Sequence, residues 1–301
     1  MTNLRDKAAA LGIELKENEP MSAHTTFRIG GPAKLVFYPK TPREAAEVVR
    51  LCHACGESLV TVGRGSNLLV GDHGISGPVM LFAGNMAEIR LVDETTIYAQ
   101  SGAKLSDLCR FAQQNALSGL EFAYGIPGSC GGAAFMNAGA YGGEMRDVLV
   151  RCDHIAPDGT PGFLEGDALA LSYRKSAYSQ NGCVITGIYC RLQKGDPAAI
   201  RAKMDELMDR RRTKQPLEYP SAGSTFKRPQ GNYASALIEQ CGLKGLSVGG
   251  AQVSEKHAGF VINRTGSASC ADVLALCRKV QQTVLEKTGY RLELEVRTVG
   301  E

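Results

Sequence analysis

A surplus of one charge is the first thing this sequence lacks: 34 Lys and Arg stand against 31 Asp and Glu, a formal net charge of +3. The two signs are interspersed, so no basic face for a nucleic-acid backbone is expected. Long apolar runs are missing too. The longest uncharged stretch, Phe122 to Gly143, holds seven glycines together with Pro127, Ser129 and Asn137, a composition wrong for a membrane helix. The opening residues MTNLRDKAAALGIELKENEP show no basic segment leading into an apolar core, so no secretory signal is read there and a cytoplasmic location is expected. The ten cysteines are then reduced thiols rather than a disulfide framework. Cys52 and Cys55 form a CxxC without a second pair to complete a zinc site, in a strongly helical segment, so both are read as packing residues and no metal is expected. Repeats and low-complexity linkers are absent, as are the GxGxxG of a nicotinamide-binding Rossmann unit and the GxxxxGK[ST] of a P-loop.

What is present describes a globular chain of mixed class. With 44% hydrophobic and 22% charged residues over 301 positions, it is able to bury a sizeable core in two or three subdomains. Thr41-Pro42-Arg43-Glu44 has the order of a capping box with a first-turn proline and predicts a helix to about Cys55. SLVTVG, GRGSN and LLV then read as strand, glycine turn and strand, which makes the first part α/β. Ile89 to Gln100 splits around Asp93-Glu94 as a hairpin, Leu105, Leu108, Phe111 and Ala112 have helical spacing, and strands at 148–156 and 160–164 flank Pro157-Asp158-Gly159. A helix is expected from Pro197 to about Arg212, a short one around Ala234 to Cys241, and a long one from Ala271 to Lys287 behind Ser269. The final strand, RLELEVRTVG, is expected to return to the first part. The expected division is 1–84 joined by 289–301, then 85–209, then 210–288.

The stretch GIPGSCGGAAFMNAGAYGGE, Gly125 to Glu144, spends seven of its twenty positions on glycine. Fixing a glycine costs conformational entropy, so such a cluster marks either a tight structural crossing or a backbone laid against a ligand. A second glycine turn, Val62-Gly63-Arg64-Gly65-Ser66-Asn67, follows a strand, whereas Gly125 to Gly132 precedes a predicted helix. Amides in such turns and at helix starts donate to phosphate oxygens, and Ser66 and Ser129 add hydroxyls. The pair suggests a diphosphate held between two subdomains.

Six ordered segments carry a resemblance: HTTFRIGGPA (24–33), VGRGSNLLV (62–70), the glycine stretch above, YRKS (173–176), AGSTFKRP (222–229) and LELEV (292–296). Together they span the chain from about residue 20 to its end, and the sequence resembles the UDP-N-acetylenolpyruvoylglucosamine reductases, flavoenzymes of bacterial peptidoglycan synthesis. The absence of inserted elements around Val248 to Asn263 is similar to the shorter, second subclass. The resemblance implies an α+β chain with the vanillyl-alcohol-oxidase type of FAD-binding fold, in which two α/β subdomains grip the flavin and a C-terminal α+β domain covers the substrate.

It further implies non-covalent FAD held by Gly63, Arg64, Gly65, Ser66 and Asn67 and by Gly128, Ser129, Gly131 and Gly132, with Asn137 near the flavin ring. NADPH is the implied hydride donor, and UDP-N-acetylglucosamine enolpyruvate the substrate. By motif position Arg174 and Glu295 stabilise charge on the substrate carboxylate, and Ser224 gives the proton to the α-carbon. Arginine forks onto a carboxylate, whereas Glu295 helps only if protonated or bonded through another group. Arg211 to Pro216 matches an R-x-x-K-x-P pattern that makes Lys214 a diphosphate contact. Tyr173, Arg228 and Asn263 are further substrate candidates, although the family often carries asparagine where Arg228 stands. His257 lines the site or serves structure, and Cys130, where the family has a small aliphatic residue, packs or is redox-active. A monomer is expected. The alternatives kept beside this reading are another FAD-dependent oxidoreductase of the same fold and a flavin-binding protein without turnover.

Overall fold

The helix Pro42–Ala54 starts where its sequence says it should: Thr41 is extended at φ −136°, and its hydroxyl accepts from the Glu44 amide at 3.1 Å. The reciprocal bond is displaced by one residue, the Glu44 carboxylate accepting from the Lys40 amide at 2.9 Å. Ala45, Ala46, Val48, Val49 and Cys52 form its buried face. Burial pushes the Cys52 thiol up to about 12, so it stays protonated and inert. Among the described residues no cluster of His, Cys, Asp or Glu is arranged to hold a metal ion.

The computed structural model describes residues 2–301, with side chains from Leu4 onward, and it divides into two units. The first comprises the chain up to Glu17, Leu35–Arg64 and Gly77–Arg210. It holds two cores. One lies beneath the helices Thr2–Ala10 and Pro42–Ala54 and gathers Leu4, Phe37, Val48, Met80 and Phe82. The associated four-stranded sheet has the order Leu15–Pro20, Pro32–Phe37, Ile75–Leu81, Val60–Val62, with the last two parallel. The other core backs a five-stranded antiparallel sheet of order Pro161–Glu165, Leu149–Ile155, Val184–Arg191, Thr96–Gln100, Ile89–Leu91. Ile97 and Ala99, and Ile188 and Cys190, alternate along their strands into a core shared with the helices Leu105–Gln114 and Cys130–Phe135.

The second unit comprises Asn18–Lys34, Gly65–Ser76 and Arg211–Glu301. Residues 18–34 and 65–76 belong here because Phe27, Ile29 and Leu69 are buried with Ala222, Leu237 and Leu276. The helix Cys270–Thr288 is capped twice. Ser269 and Asp272 form a reciprocal box, and the Asp72 carboxylate accepts from the amides of Cys270 and Ala271 at 2.7 and 2.9 Å. A small antiparallel sheet is built from Ser247–Val248, Ala251–Val253 and Val261–Asn263.

The last strand is shorter than its sequence predicts. Only Arg297–Val299 is a strand, parallel to Leu68–Val70. Residues 293–295 instead run beside 225–227: the Glu295 amide donates to the Thr225 carbonyl and the Lys227 amide to the Glu293 carbonyl, both at 2.8 Å. The alternation of LELEV reflects burial of Leu292 and Val296 in the second unit's core. No described helix is long and apolar enough to cross a membrane.

Candidate functional site

Within the first unit the two glycine turns meet. The strand Val60–Val62 ends at Gly63, and a Cβ built on Gly63 would fall on the Ser129 hydroxyl, 3.3 Å from Ser129 Cβ. Glycine is what lets the strand end lie against that serine. Ser129 is only 2% exposed and caps the helix Cys130–Phe135, its Oγ accepting from the Gly132 amide at 3.3 Å. Its own O–H remains available to donate.

The amides that start this helix are not free, contrary to the expectation from sequence. Cys130 N–H donates to Ala103 O at 2.9 Å, Gly131 N–H to Ser101 O at 3.0 Å, and Gly132 N–H to the Ser129 hydroxyl. The acceptors come from a third turn, Ser101-Gly102-Ala103-Lys104, with Lys104 bridged to Ser129 and Leu105 N–H bonded to Gly128 O. Sequence reasoning missed this turn, although its glycine follows a strand, as the first turn does, and precedes a helix, as the second does. Cys130 is fully buried and burial raises its thiol well above the ordinary range, so it packs.

Asn137 is also buried, in the left-handed region at φ 42°, and its amide is fully occupied. Nδ2 donates to Glu144 at 2.8 Å and to Ser172 O at 3.1 Å, while Oδ1 accepts from the Arg146 amide at 2.8 Å. It thereby ties the glycine stretch to the YRKS turn. That turn closes through paired bonds between Ser172 and Lys175, each 3.0 Å, with Tyr173 and Arg174 at its tip. Arg174 is left-handed at φ 57°, and its guanidinium lies 5.0 Å from the Tyr173 ring centre. The second central position of such a turn usually takes glycine or asparagine, so an arginine there is held against its backbone preference. Arg174→Gly is therefore expected to keep or raise the melting temperature and, in the charge-stabilising role that its motif position implies, to lower kcat/KM by roughly 100-fold. Thermal melts and steady-state assays of the same preparation check both parts.

In the second unit, Gly65 has φ 59°, and a Cβ there would strike the His24 carbonyl and lie 2.8 Å from Thr25 Cα. Its carbonyl accepts from the Thr26 amide at 3.3 Å, which seats the GRGSN turn on the HTTFR segment. Ser66 and Arg64 are half-buried. Asn67 Nδ2 donates to Glu295 O at 3.1 Å, and Asn67 O accepts from the Arg297 amide at 3.0 Å. Ser224 is exposed and Glu295 half-buried, and the two are joined through the Thr225–Glu295 backbone bond. Lys214 is exposed on the last turn of the helix Pro197–Lys214, and the Arg228 guanidinium stands 4.5 Å from the Tyr233 ring centre. Asn263 is buried, its Nδ2 donating to Phe27 O at 3.3 Å and its Oδ1 accepting from the Ala268 amide at 3.0 Å.

His257 Nδ1 accepts from the Gly259 amide at 3.1 Å, so Nε2 carries the proton, and burial lowers its pKa. With the folded value below the unfolded one, this contribution to stability is present above about pH 6.5 and is lost as pH falls below it. Between pH 7.5 and 5.5 the denaturant midpoint of the parent protein should fall further than that of His257→Gln.

Residues 215–299 match the model for the C-terminal domain of UDP-N-acetylenolpyruvoylglucosamine reductase, and residues 33–161 match an FAD binding domain. The UDP-N-acetylenolpyruvoylglucosamine reductase of Agathobacter rectalis is 47% identical over 300 residues, covering 96% of this chain and 95% of that protein. The chain belongs to the UDP-N-acetylenolpyruvoylglucosamine reductase family. The crystal structure of the family member from Thermus caldophilus superposes with a TM-score of 0.79 at 34% identity, over 95% of this chain and 98% of that one. Glucooligosaccharide oxidase from Acremonium strictum, at 14% identity and a TM-score of 0.50 over 97% of this chain and 59% of that one, shares the fold alone. The fold is thus the vanillyl-alcohol-oxidase type of FAD-binding fold, and the chain is an FAD-dependent oxidoreductase of peptidoglycan synthesis.

Proposed function

We propose that the chain reduces UDP-N-acetylglucosamine enolpyruvate to UDP-N-acetylmuramate with NADPH as donor and FAD bound without a covalent link. Family membership over almost the whole chain carries this reading. The residues present fit the cofactor: Gly63 lets its strand end lie against Ser129 and Gly65 lets its turn lie on the His24–Thr25 backbone, and Arg64, Ser66, Asn67 and Ser129 carry the polar groups that a diphosphate takes. Gly128, Gly131 and Gly132 would form the second flavin loop, with Asn137 near the ring. When bound, FAD supplies the two-electron relay, taking a hydride from NADPH and passing one to the enolpyruvyl β-carbon.

The chain's own work is to hold charge and move one proton. Arg174 would fork onto the substrate carboxylate, where negative charge grows. Glu295 would help at the same carboxylate through a bond donated by a protonated carboxyl or by another group that it holds. Ser224 Oγ gives its proton to the α-carbon, a role open to a poor acid only because the acceptor is a carbanion held at hydrogen-bond distance. Lys214 and Arg228 would take the nucleotide diphosphate and Tyr173 would be a further substrate contact, while Asn263 steadies its own loops.

An absorption spectrum followed by acid precipitation tests the cofactor half of the reading. Flavin absorbance should accompany the purified protein and leave it entirely in acid. Colour remaining on the precipitated chain would instead indicate an oxidase-type covalent flavin.

A further inference from the structure

We infer that Thr225, next to Ser224, is a positioning residue that holds Ser224 and Glu295 in one frame. This rests on the roles proposed above for those two side chains. Residues 220–227 form an extended segment stitched on both sides. Toward the strand Val261–Asn263, the Asn263 amide donates to Pro220 O at 2.9 Å, Ser221 bridges Ile262, and the Thr225 amide donates to Gly259 O at 2.8 Å. Toward the C-terminal segment, Thr225 O accepts from Glu295 N–H, Phe226 bridges Leu294, and Lys227 N–H donates to Glu293 O.

Residues 222–224 make no backbone bond to either neighbour among the described residues, and Gly223 turns the chain at φ 77°. The place of Ser224 is therefore set by the residue that follows it. Thr225 is 3% exposed and makes one bond more than its backbone supplies: its Oγ1 accepts from the Val261 amide at 2.9 Å. Val261 is itself 1% exposed, so without that hydroxyl a buried amide loses its partner. Valine has the shape of threonine and suits an extended segment equally well, so shape alone does not call for threonine. What the hydroxyl adds is a side-chain tie from the Ser224–Thr225 peptide to the strand on one side, opposite the Glu295 tie on the other. Proton transfer is steep in distance, and a misplacement of about 1 Å costs on the order of 100-fold.

The test uses the flavin-loaded full chain. Thr225→Val should slow reoxidation of reduced flavin by the enolpyruvyl nucleotide by about tenfold or more, with reduction by NADPH unchanged within about twofold. Thr225→Ser, which keeps the acceptor, should stay close to the parent in both steps. Hydrogen exchange at the Val261 and Glu295 amides should accelerate in Thr225→Val and not in Thr225→Ser. Parent-like rates in Thr225→Val, equal slowing in Thr225→Ser, or loss in both half-reactions together would each overturn the inference. If Thr225→Val does not fold, Thr225→Cys, of similar shape with a weaker acceptor, carries the same expectations. Failure of the parent's flavin to be reoxidised by the nucleotide would overturn the proposed function instead, and the exchange rates would still decide whether Thr225 couples the two segments.

Discussion

Ser224→Ala is expected to slow reoxidation of the reduced flavin by the enolpyruvyl nucleotide by roughly 10²- to 10⁴-fold, the range for loss of a general acid. Flavin reduction by NADPH should proceed at the parent rate. The asymmetry follows from where the hydroxyl stands. Ser224 is exposed, and no hydrogen bond of the fold among the described residues uses its Oγ, so its removal leaves the Thr225 ladder and the adjoining strand in place. The melting temperature should stay within the range of a surface substitution. Stopped-flow traces of the two half-reactions separate the cases: equal loss in both would show that Ser224 supports the structure rather than delivering a proton.

Gly65→Ala is expected to leave a chain that binds FAD at least tenfold more weakly, about 1.4 kcal/mol. Two independent penalties act at this position. The left-handed backbone, φ 59°, strains any L side chain, and the new Cβ meets the His24 carbonyl and Thr25 Cα, which are backbone atoms rather than the end of a flexible side chain. Gly63→Ala should be milder. There the colliding atom is the Ser129 hydroxyl, which is able to rotate away by giving up its cap on Gly132. The flavin-to-protein absorbance ratio after gel filtration ranks the two variants. Full flavin occupancy in Gly65→Ala would contradict the assignment of the GRGSN turn to the cofactor.

Much of this architecture was legible in the residues because local rules agreed with the fold. Thr41-Pro42 and Ser269 announce the helices Pro42–Ala54 and Cys270–Thr288 through side-chain caps, and the split around Asp93-Glu94 yields the expected hairpin. LELEV misled for the same physical reason that alternation usually succeeds. Leu292 and Val296 do face a core, but the pairing partner is the short segment 225–227 that follows the turn at Gly223, so the ladder ends after two bonds. Nothing local shows that Phe27, Ile29 and Leu69 bury in a core supplied largely by residues after 220.

The site was legible in part. Glycine density marked the turns at Gly63 and Ser129, and the structure shows them touching. It did not reveal that the amides of Cys130 and Gly131 are already committed to Ala103 and Ser101, since that depends on a third turn far from both in sequence. Nor did it reveal that Asn137 and Asn263 spend their amides within the fold.

The measurement closest to the centre of this account is NADPH consumption by the purified, flavin-containing protein with and without UDP-N-acetylglucosamine enolpyruvate. The account predicts a slow background that rises steeply on adding the nucleotide, with one NADPH used for each UDP-N-acetylmuramate formed. A rate indifferent to the nucleotide, in protein that carries its full complement of FAD, would contradict it.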